Sequence, residues 1–121
     1  MSYIKGVGMS KFDVSQKASY ERVYECVNEA LDSGNVSLDD IDAIFISTSE
    51  AESNGERQKH AGPMVSSMFQ KKIPILSVPA GCCGGGAALW DAINFQKVNN
   101  ARNVLAIGFE KLVANISEKV T

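Results

Sequence analysis

The sequence lacks the features that mark several classes of protein. Its 121 residues include one histidine and three cysteines, with no Cys-x-x-Cys pair. A four-ligand zinc site is therefore difficult to assemble within the chain, and we expect free thiols rather than a disulfide framework. No apolar run reaches the ~18 residues that a membrane helix needs. Residues 1–12 lack the charged and apolar regions of a signal peptide, so we expect a cytoplasmic protein outside the membrane.

The balance of charges excludes a further class and sets the scale of the fold. The formal net charge is -2 and no strongly basic patch is visible, which argues against nucleic acid as a partner. Hydrophobic residues make up 45% and charged residues 21% of the chain, as in ordinary globular proteins. We therefore expect residues 1–121 to form a single domain with a hydrophobic core.

Strand and helix patterns alternate along the chain. Val23, Val27 and Leu31 recur at helical spacing, and Gly34 is expected to end that helix in a left-handed conformation. Residues 41–46 are nearly all apolar, as in a strand buried on both faces. The patterns predict strands at residues 3–7, 41–46, 73–78 and 103–109, and helices at residues 19–32, 58–69 and 87–98. This order predicts an α/β fold with a predominantly parallel sheet and helices on both faces.

A glycine-rich segment with two adjacent cysteines follows the third predicted strand. Residues 79–88 read Pro-Ala-Gly-Cys-Cys-Gly-Gly-Gly-Ala-Ala and lead into a predicted helix, at the carboxyl edge where α/β sheets place their sites. A cysteine at a helix N-terminus faces unpaired N–H groups and the positive end of the helix dipole, which favour the thiolate. A thiolate can take an acyl group from a thioester, and the same N–H groups can stabilise an oxyanion.

Two other interpretations of this segment remain open. Cysteine is common in proteins as a small buried hydrophobe and glycine as a turn residue, so composition alone supports a structural role equally well. A phosphate-binding loop is less well supported, because neither the Gly-x4-Gly-Lys-[Ser/Thr] pattern nor Gly-x-Gly-x-x-Gly occurs here.

Residues 78–88 resemble the nucleophile segment of the thiolase superfamily, most closely that of the archaeal and sterol-carrier-type thiolases. Residues 4–12, 30–46 and 104–111 also resemble parts of these proteins, in the same order. The resemblance implies that Cys82 is the acyl-accepting cysteine, because the spacing from Cys82 to Gly-Gly-Ala-Ala matches the family. Cys83 stands where a small residue such as alanine is usual, and a shift of one residue would make it the nucleophile.

The resemblance implies an acyltransferase that forms or cleaves a carbon–carbon bond in a 3-ketoacyl-CoA. A coenzyme A thioester is the substrate, and neither a cofactor nor a metal is implied. The family's catalytic histidine, asparagine motif and second cysteine come from a second half, and this chain resembles only the N-terminal part of the first half. We therefore expect an incomplete half that is inactive alone and that works as a homo-oligomer or with a partner subunit supplying the second half.

Alternatives exist at the level of function. Another condensing enzyme, of the hydroxymethylglutaryl-CoA synthase or ketoacyl synthase type, is possible but is less favoured by the Gly-Gly-Ala-Ala sequence. A non-catalytic, thiolase-like association subunit is the alternative outside enzymes. His60 precedes the nucleophile segment and is expected to have a surface or capping role, and Cys26 is expected to be a structural thiol on the first helix.

Overall fold

The computed structural model describes residues 2–11, 19–48, 66–67 and 72–110. Its elements are helix α1, strands β1 and β2, helix α2 and strand β3, at Ser19–Gly34, Ala43–Ser47, Ile75–Ser77, Gly84–Asn99 and Val104–Gly108. Single 3-10 turns precede β1, at Leu38–Asp40, and α2, at Gly81–Cys83. In the described ranges, neither helix is long and apolar enough to cross a membrane.

The three described strands form one parallel sheet in the order β2-β1-β3. Phe45, at the middle of β1, lies opposite Leu76 of β2 on one side and Ala106 of β3 on the other. All five residues of β1 are buried. This explains the nearly continuous apolar run in the sequence, because a central parallel strand has no face in water.

Helices cover both faces of the sheet, as predicted. Successive side chains of a strand point to opposite faces, so Ile44 and Ile46 point toward α1 while Ala43 and Phe45 point toward α2. The α1 face of the core also contains Val23, Val27, Leu31 and Ile107. The α2 face contains Ala88 and Ala92, and Phe95 meets Phe45 edge to face at a ring distance of 5.7 Å. The predicted α/β fold class is therefore confirmed.

The prediction of a strand at residues 3–7 is wrong. The structure places residues 2–11 in an irregular segment against α1, where Val7 N–H donates to Ser33 Oγ at 2.8 Å. A Cβ on Gly6 would collide with the Ala30 carbonyl, and one on Gly8 with the Cys26 carbonyl. Glycine is therefore needed at these positions because the backbone of this segment touches the backbone of α1. The sequence had suggested instead that Gly8 ends a strand.

Other predicted boundaries shift by a few residues. The left-handed residue after α1 is Asn35, with φ of 52°, and not Gly34. Gly34 is needed for another reason, since a Cβ there would lie 3.1 Å from the Lys5 carbonyl oxygen. Helix α2 begins at Gly84, three residues before its predicted start at Ala87. The predicted helix at 58–69 lies outside the described residues except for residues 66 and 67.

Candidate active site at the carboxyl edge of the sheet

The link from β2 to α2 places both adjacent cysteines at the carboxyl edge of the sheet. Val78 N–H donates to the Ile46 carbonyl at 2.9 Å, so the chain stays paired with β1 beyond the end of β2. Gly81 then takes a φ of +55°, in the left-handed region that favours glycine. The 3-10 turn Gly81–Cys83 follows, and Cys83 is the residue that precedes the first residue of α2.

Both cysteine side chains are accessible in this turn. Cys82 and Cys83 are exposed free thiols, whereas Cys26 is a half-buried free thiol on α1. Cys83 makes no side-chain hydrogen bond to the helix that it precedes. The sequence expectation that these two cysteines stand at the start of a helix is therefore met by the geometry.

The first turn of α2 presents its backbone rather than side chains. The first N–H groups of a helix have no partner within the helix and carry partial positive charge. A Cβ on Gly85 or Gly86 would meet nothing within 4 Å, so neither side chains nor packed neighbours crowd these two positions. Such an arrangement can accept the oxygen of a thioester carbonyl as negative charge develops on it.

Ser47 forms the floor of this site, and the sequence analysis did not identify it. Ser47 lies at the end of β1, is 3% exposed, and its hydroxyl donates to the Val78 carbonyl at 2.7 Å. A Cβ on Gly84 would collide with the Ser47 Oγ. The pair therefore fixes how closely α2 approaches the sheet. The available signal was a polar residue ending an otherwise apolar strand.

The end of strand β3 also lies against the first turn of α2. Phe109 N–H donates to the Ser47 carbonyl at 3.0 Å, so β1 and β3 stay paired at their carboxyl ends. A Cβ on Gly108 would lie 3.2 Å from the Gly85 Cα. Next to this floor, the Thr48 hydroxyl lies 3.4 Å from a carboxylate oxygen of Glu110 and donates to it. The first turn of α2 thus rests on the ends of two strands.

The structure separates Cys26 from this site. Cys26 lies on α1, which covers the opposite face of the sheet from α2, and its carbonyl lies against Gly8. His60 lies outside the described residues. Within the described ranges, no group of three or more histidine, cysteine, aspartate or glutamate side chains is arranged to hold a metal ion.

Comparison with known proteins relates the chain to one kind of condensing enzyme. No protein-family profile matches it. It is 31% identical over 96 residues to β-ketoacyl-[acyl-carrier-protein] synthase III of Rhodopirellula baltica, covering 76% of this chain and 26% of that protein. It is 29% identical over 112 residues to the mycobacterial β-ketoacyl-[acyl-carrier-protein] synthase III of Mycobacterium tuberculosis, covering 92% of this chain and 32% of that protein.

Solved structures give the same result. The crystal structure of 3-oxoacyl-[acyl-carrier-protein] synthase III from Aquifex aeolicus matches with a TM-score of 0.67 and 25% identity, over 81% of this chain and 31% of that one. The Thermus thermophilus synthase III has a similar fold, with a TM-score of 0.65 at 23% identity, over 82% of this chain and 30% of that one. The chain therefore has part of a thiolase-like fold and spans only a quarter to a third of the length of these relatives.

These relatives revise the order of the two enzyme types considered from the sequence. The likeness to the thiolase superfamily is confirmed, but it is not a likeness to acetyl-CoA acetyltransferases in particular. The ketoacyl synthase type, which the sequence analysis placed second, is the better supported of the two. The Gly-Gly-Ala-Ala sequence was therefore a poor guide to the type of condensing enzyme.

Proposed function

We propose that this chain, a relative of the thiolase-superfamily condensing enzymes, carries the cysteine nucleophile of a ketoacyl-synthase-type enzyme. In this proposal Cys82 accepts an acyl group from a thioester. One observation carries it: Cys82 is an exposed thiol in the turn that leads directly into α2, at the carboxyl edge of a parallel sheet. The bond-forming reaction of a complete enzyme requires more than this segment.

The acyl-transfer step uses the geometry of the turn. The Cys82 thiolate attacks the carbonyl carbon of an acyl thioester, and negative charge develops on the carbonyl oxygen. The Gly84 N–H already donates to the Gly81 carbonyl, so the N–H groups of Gly85 and Gly86 are the candidates to stabilise that oxygen. The carbon–sulfur bond to the carrier then breaks, the carrier thiol leaves, and the acyl group remains on Cys82. Formation of the carbon–carbon bond then needs a second thioester and groups that the described site does not contain.

Cys82 is preferred to Cys83 because of its spacing to residues 85–88 in the sequence. The structure adds that the Cys83 N–H donates to the Ala80 carbonyl at 3.1 Å, within the turn itself. Because both thiols are exposed, each must be tested by substitution. Cys82→Ser and Cys83→Ser form a matched pair, since each replaces one sulfur by oxygen at neighbouring positions.

The test is to map covalent acylation. The longest protein that the gene encodes is incubated with acetyl-CoA, and the product is analysed by intact mass and peptide mapping. We expect one acetyl group on Cys82, retained in Cys83→Ser and lost in Cys82→Ser. Iodoacetamide labelling in parallel should modify Cys82 faster than Cys26, because Cys26 is half-buried. Acetylation on Cys83 alone would transfer the role to that residue, and no acetylation on either cysteine would reject the proposal.

A second candidate function has an observation of its own. Leu89, Trp90 and Val98 of α2 are exposed apolar side chains, and Trp90 is 69% exposed. Large apolar side chains that are exposed on one helix are candidates for an interface, so the chain also suits an association subunit that joins a second copy or a partner subunit. An unreactive Cys82 together with a stable oligomer would favour this function over acyl transfer.

A further inference from the structure

We propose that Cys82 and Cys83 form a reversible disulfide with each other when the protein meets a hydroperoxide. The consequence for activity rests on the proposed function, because the disulfide consumes the thiol that accepts the acyl group. Formation of the disulfide itself does not depend on that function. The pair is therefore a site of oxidative modification next to the site of acyl transfer.

Exposure and position favour reaction between these two thiols. Both are exposed, so a small peroxide can reach either one from solvent. They occupy successive positions directly before α2, so the two sulfurs are adjacent in the chain. The third cysteine, Cys26, is half-buried on the helix that covers the opposite face of the sheet. Within one chain, Cys82 and Cys83 are therefore the two cysteines best placed to form a disulfide.

The backbone around the pair can adapt to the bond. Successive Cα atoms lie about 3.8 Å apart, whereas bridged cysteines usually have Cα atoms about 4.4–6.8 Å apart. The peptide bond fixes this spacing in any backbone conformation, so a bond between the two sulfurs closes a strained eight-membered ring. Gly81, with its left-handed φ, precedes the pair, and a Cβ at Gly81, Gly85 or Gly86 would meet nothing within 4 Å. Gly84, directly after the pair, packs on Ser47, so the backbone adjusts on the Gly81 side of the pair, where glycine is conformationally permissive.

The same geometry makes the bond easy to reduce. A disulfide whose geometry departs from the preferred values stores strain and is reduced more readily. Strained or exposed disulfides have more oxidising potentials and are the labile ones. We therefore expect a small dithiol to restore both thiols fully.

The oxidation proceeds in two balanced steps. The Cys82 thiolate attacks one oxygen of hydrogen peroxide, the O–O bond breaks, and the products are a Cys82 sulfenic acid and hydroxide. The Cys83 sulfur then attacks the Cys82 sulfur and loses its proton, and the sulfenic oxygen leaves as water. The peroxide has gained two electrons, one from each sulfur. Because the sulfenic acid on Cys82 reacts with Cys83, it is not oxidised further to the irreversible sulfinic and sulfonic acids.

The experiment follows oxidation by mass. The full chain is treated with hydrogen peroxide, alkylated with N-ethylmaleimide and digested. We expect the peptide holding both cysteines to lose two hydrogen atoms and to resist alkylation until dithiothreitol is added. The Cys26→Ser variant should behave in the same way. In Cys83→Ser, Cys82 should instead accumulate as sulfinic acid that dithiothreitol does not reverse, with an unchanged circular dichroism spectrum as evidence of folding.

Other outcomes overturn the proposal. These are a bond between Cys82 and Cys26, a bond between two chains, a sulfinic acid on Cys82 beside an alkylated Cys83, or no oxidation at all. Acetyl-CoA labelling before and after peroxide separates this proposal from the proposed function. If the disulfide forms but the reduced protein takes no acetyl group, the proposed function fails and the redox pair remains. If both are correct, labelling falls to background after peroxide and returns after reduction.

Discussion

The buried residues with which helix α1 contacts the sheet have branched side chains, whereas the buried residues of α2 are alanine and glycine. Those of α1 are Val23, Val27 and Leu31, and those of α2 are Gly84, Ala88 and Ala92, with the half-buried Phe95 farther along the helix. Side-chain volume therefore sets the distance of α1 from the sheet. For α2 the distance is set by direct approach of backbone, since Gly84 rests on Ser47. Small residues therefore lie at the end of the α2 face next to the reactive turn, and Phe45 and Phe95 fill this face farther along the helix.

The outward sides of the two helices differ as well. Helix α1 presents charged side chains such as Glu25, Glu29 and Asp32 to solvent. Helix α2 presents Trp90 and Val98, and Val98 is 84% exposed. Large apolar side chains left in water on one helix are candidates for contact with another protein surface. We therefore expect α2 to be covered in the functional assembly and α1 to remain in water.

Loss of volume on the α1 face should have the largest effect on stability. Leu31→Ala removes a side chain that is 7% exposed, and the cavity should lower the free energy of unfolding by about 2–5 kcal/mol. Urea unfolding followed by circular dichroism measures this change. The matched change on the α2 face is Ala88→Leu, which adds volume where Ala88 is fully buried and should cost about 1–3 kcal/mol. A stable Ala88→Leu variant would show that α2 is not held close to the sheet.

Alanine substitutions at two neighbouring glycines at the start of α2 should have opposite effects on stability. Gly84→Ala places a Cβ against Ser47, so we expect a loss of about 1–3 kcal/mol and slower alkylation of Cys82 by iodoacetamide. Gly85→Ala is the control, because its Cβ would meet nothing within 4 Å. Alanine there should stabilise the helix by about 0.5–1 kcal/mol. Equal effects of the two substitutions would contradict the close contact between α2 and β1.

Removal of the exposed indole should have the smallest effect on stability and a clear effect on association. Trp90→Ser should change the free energy of unfolding by no more than about 0.5 kcal/mol, because the side chain is 69% exposed. Sedimentation velocity should show weaker self-association of this variant. Tyr24→Ser, at a 50% exposed position on α1, should leave association unchanged. If both variants lost association equally, α2 would not be the helix that makes the contact in preference to α1.

The sequence predicted those parts of the fold that depend on local patterns. Strands β1 and β3 were found near residues 41–46 and 103–109 because each contains a continuous run of apolar residues. The start of α2 was placed too late, because glycine has low helix propensity and its contact with β1 is visible only in three dimensions. Residues 3–7 were misassigned because alternating glycines fit a strand and a chain packed against a helix equally well. Ser47 was missed because its partners lie far along the chain.

The central position of β1 has a consequence for the chain while it is being made. Phe45 lies opposite Leu76 and Ala106, so both neighbours of β1 are synthesised after it. At about 5–20 residues per second, the roughly sixty residues that separate Phe45 from Ala106 take about 3–12 seconds to translate. During that time an apolar strand is available to chaperones or to other nascent chains. Helix α1 has already been made, and its Val27 and Leu31 can shelter one side of the strand before any sheet exists.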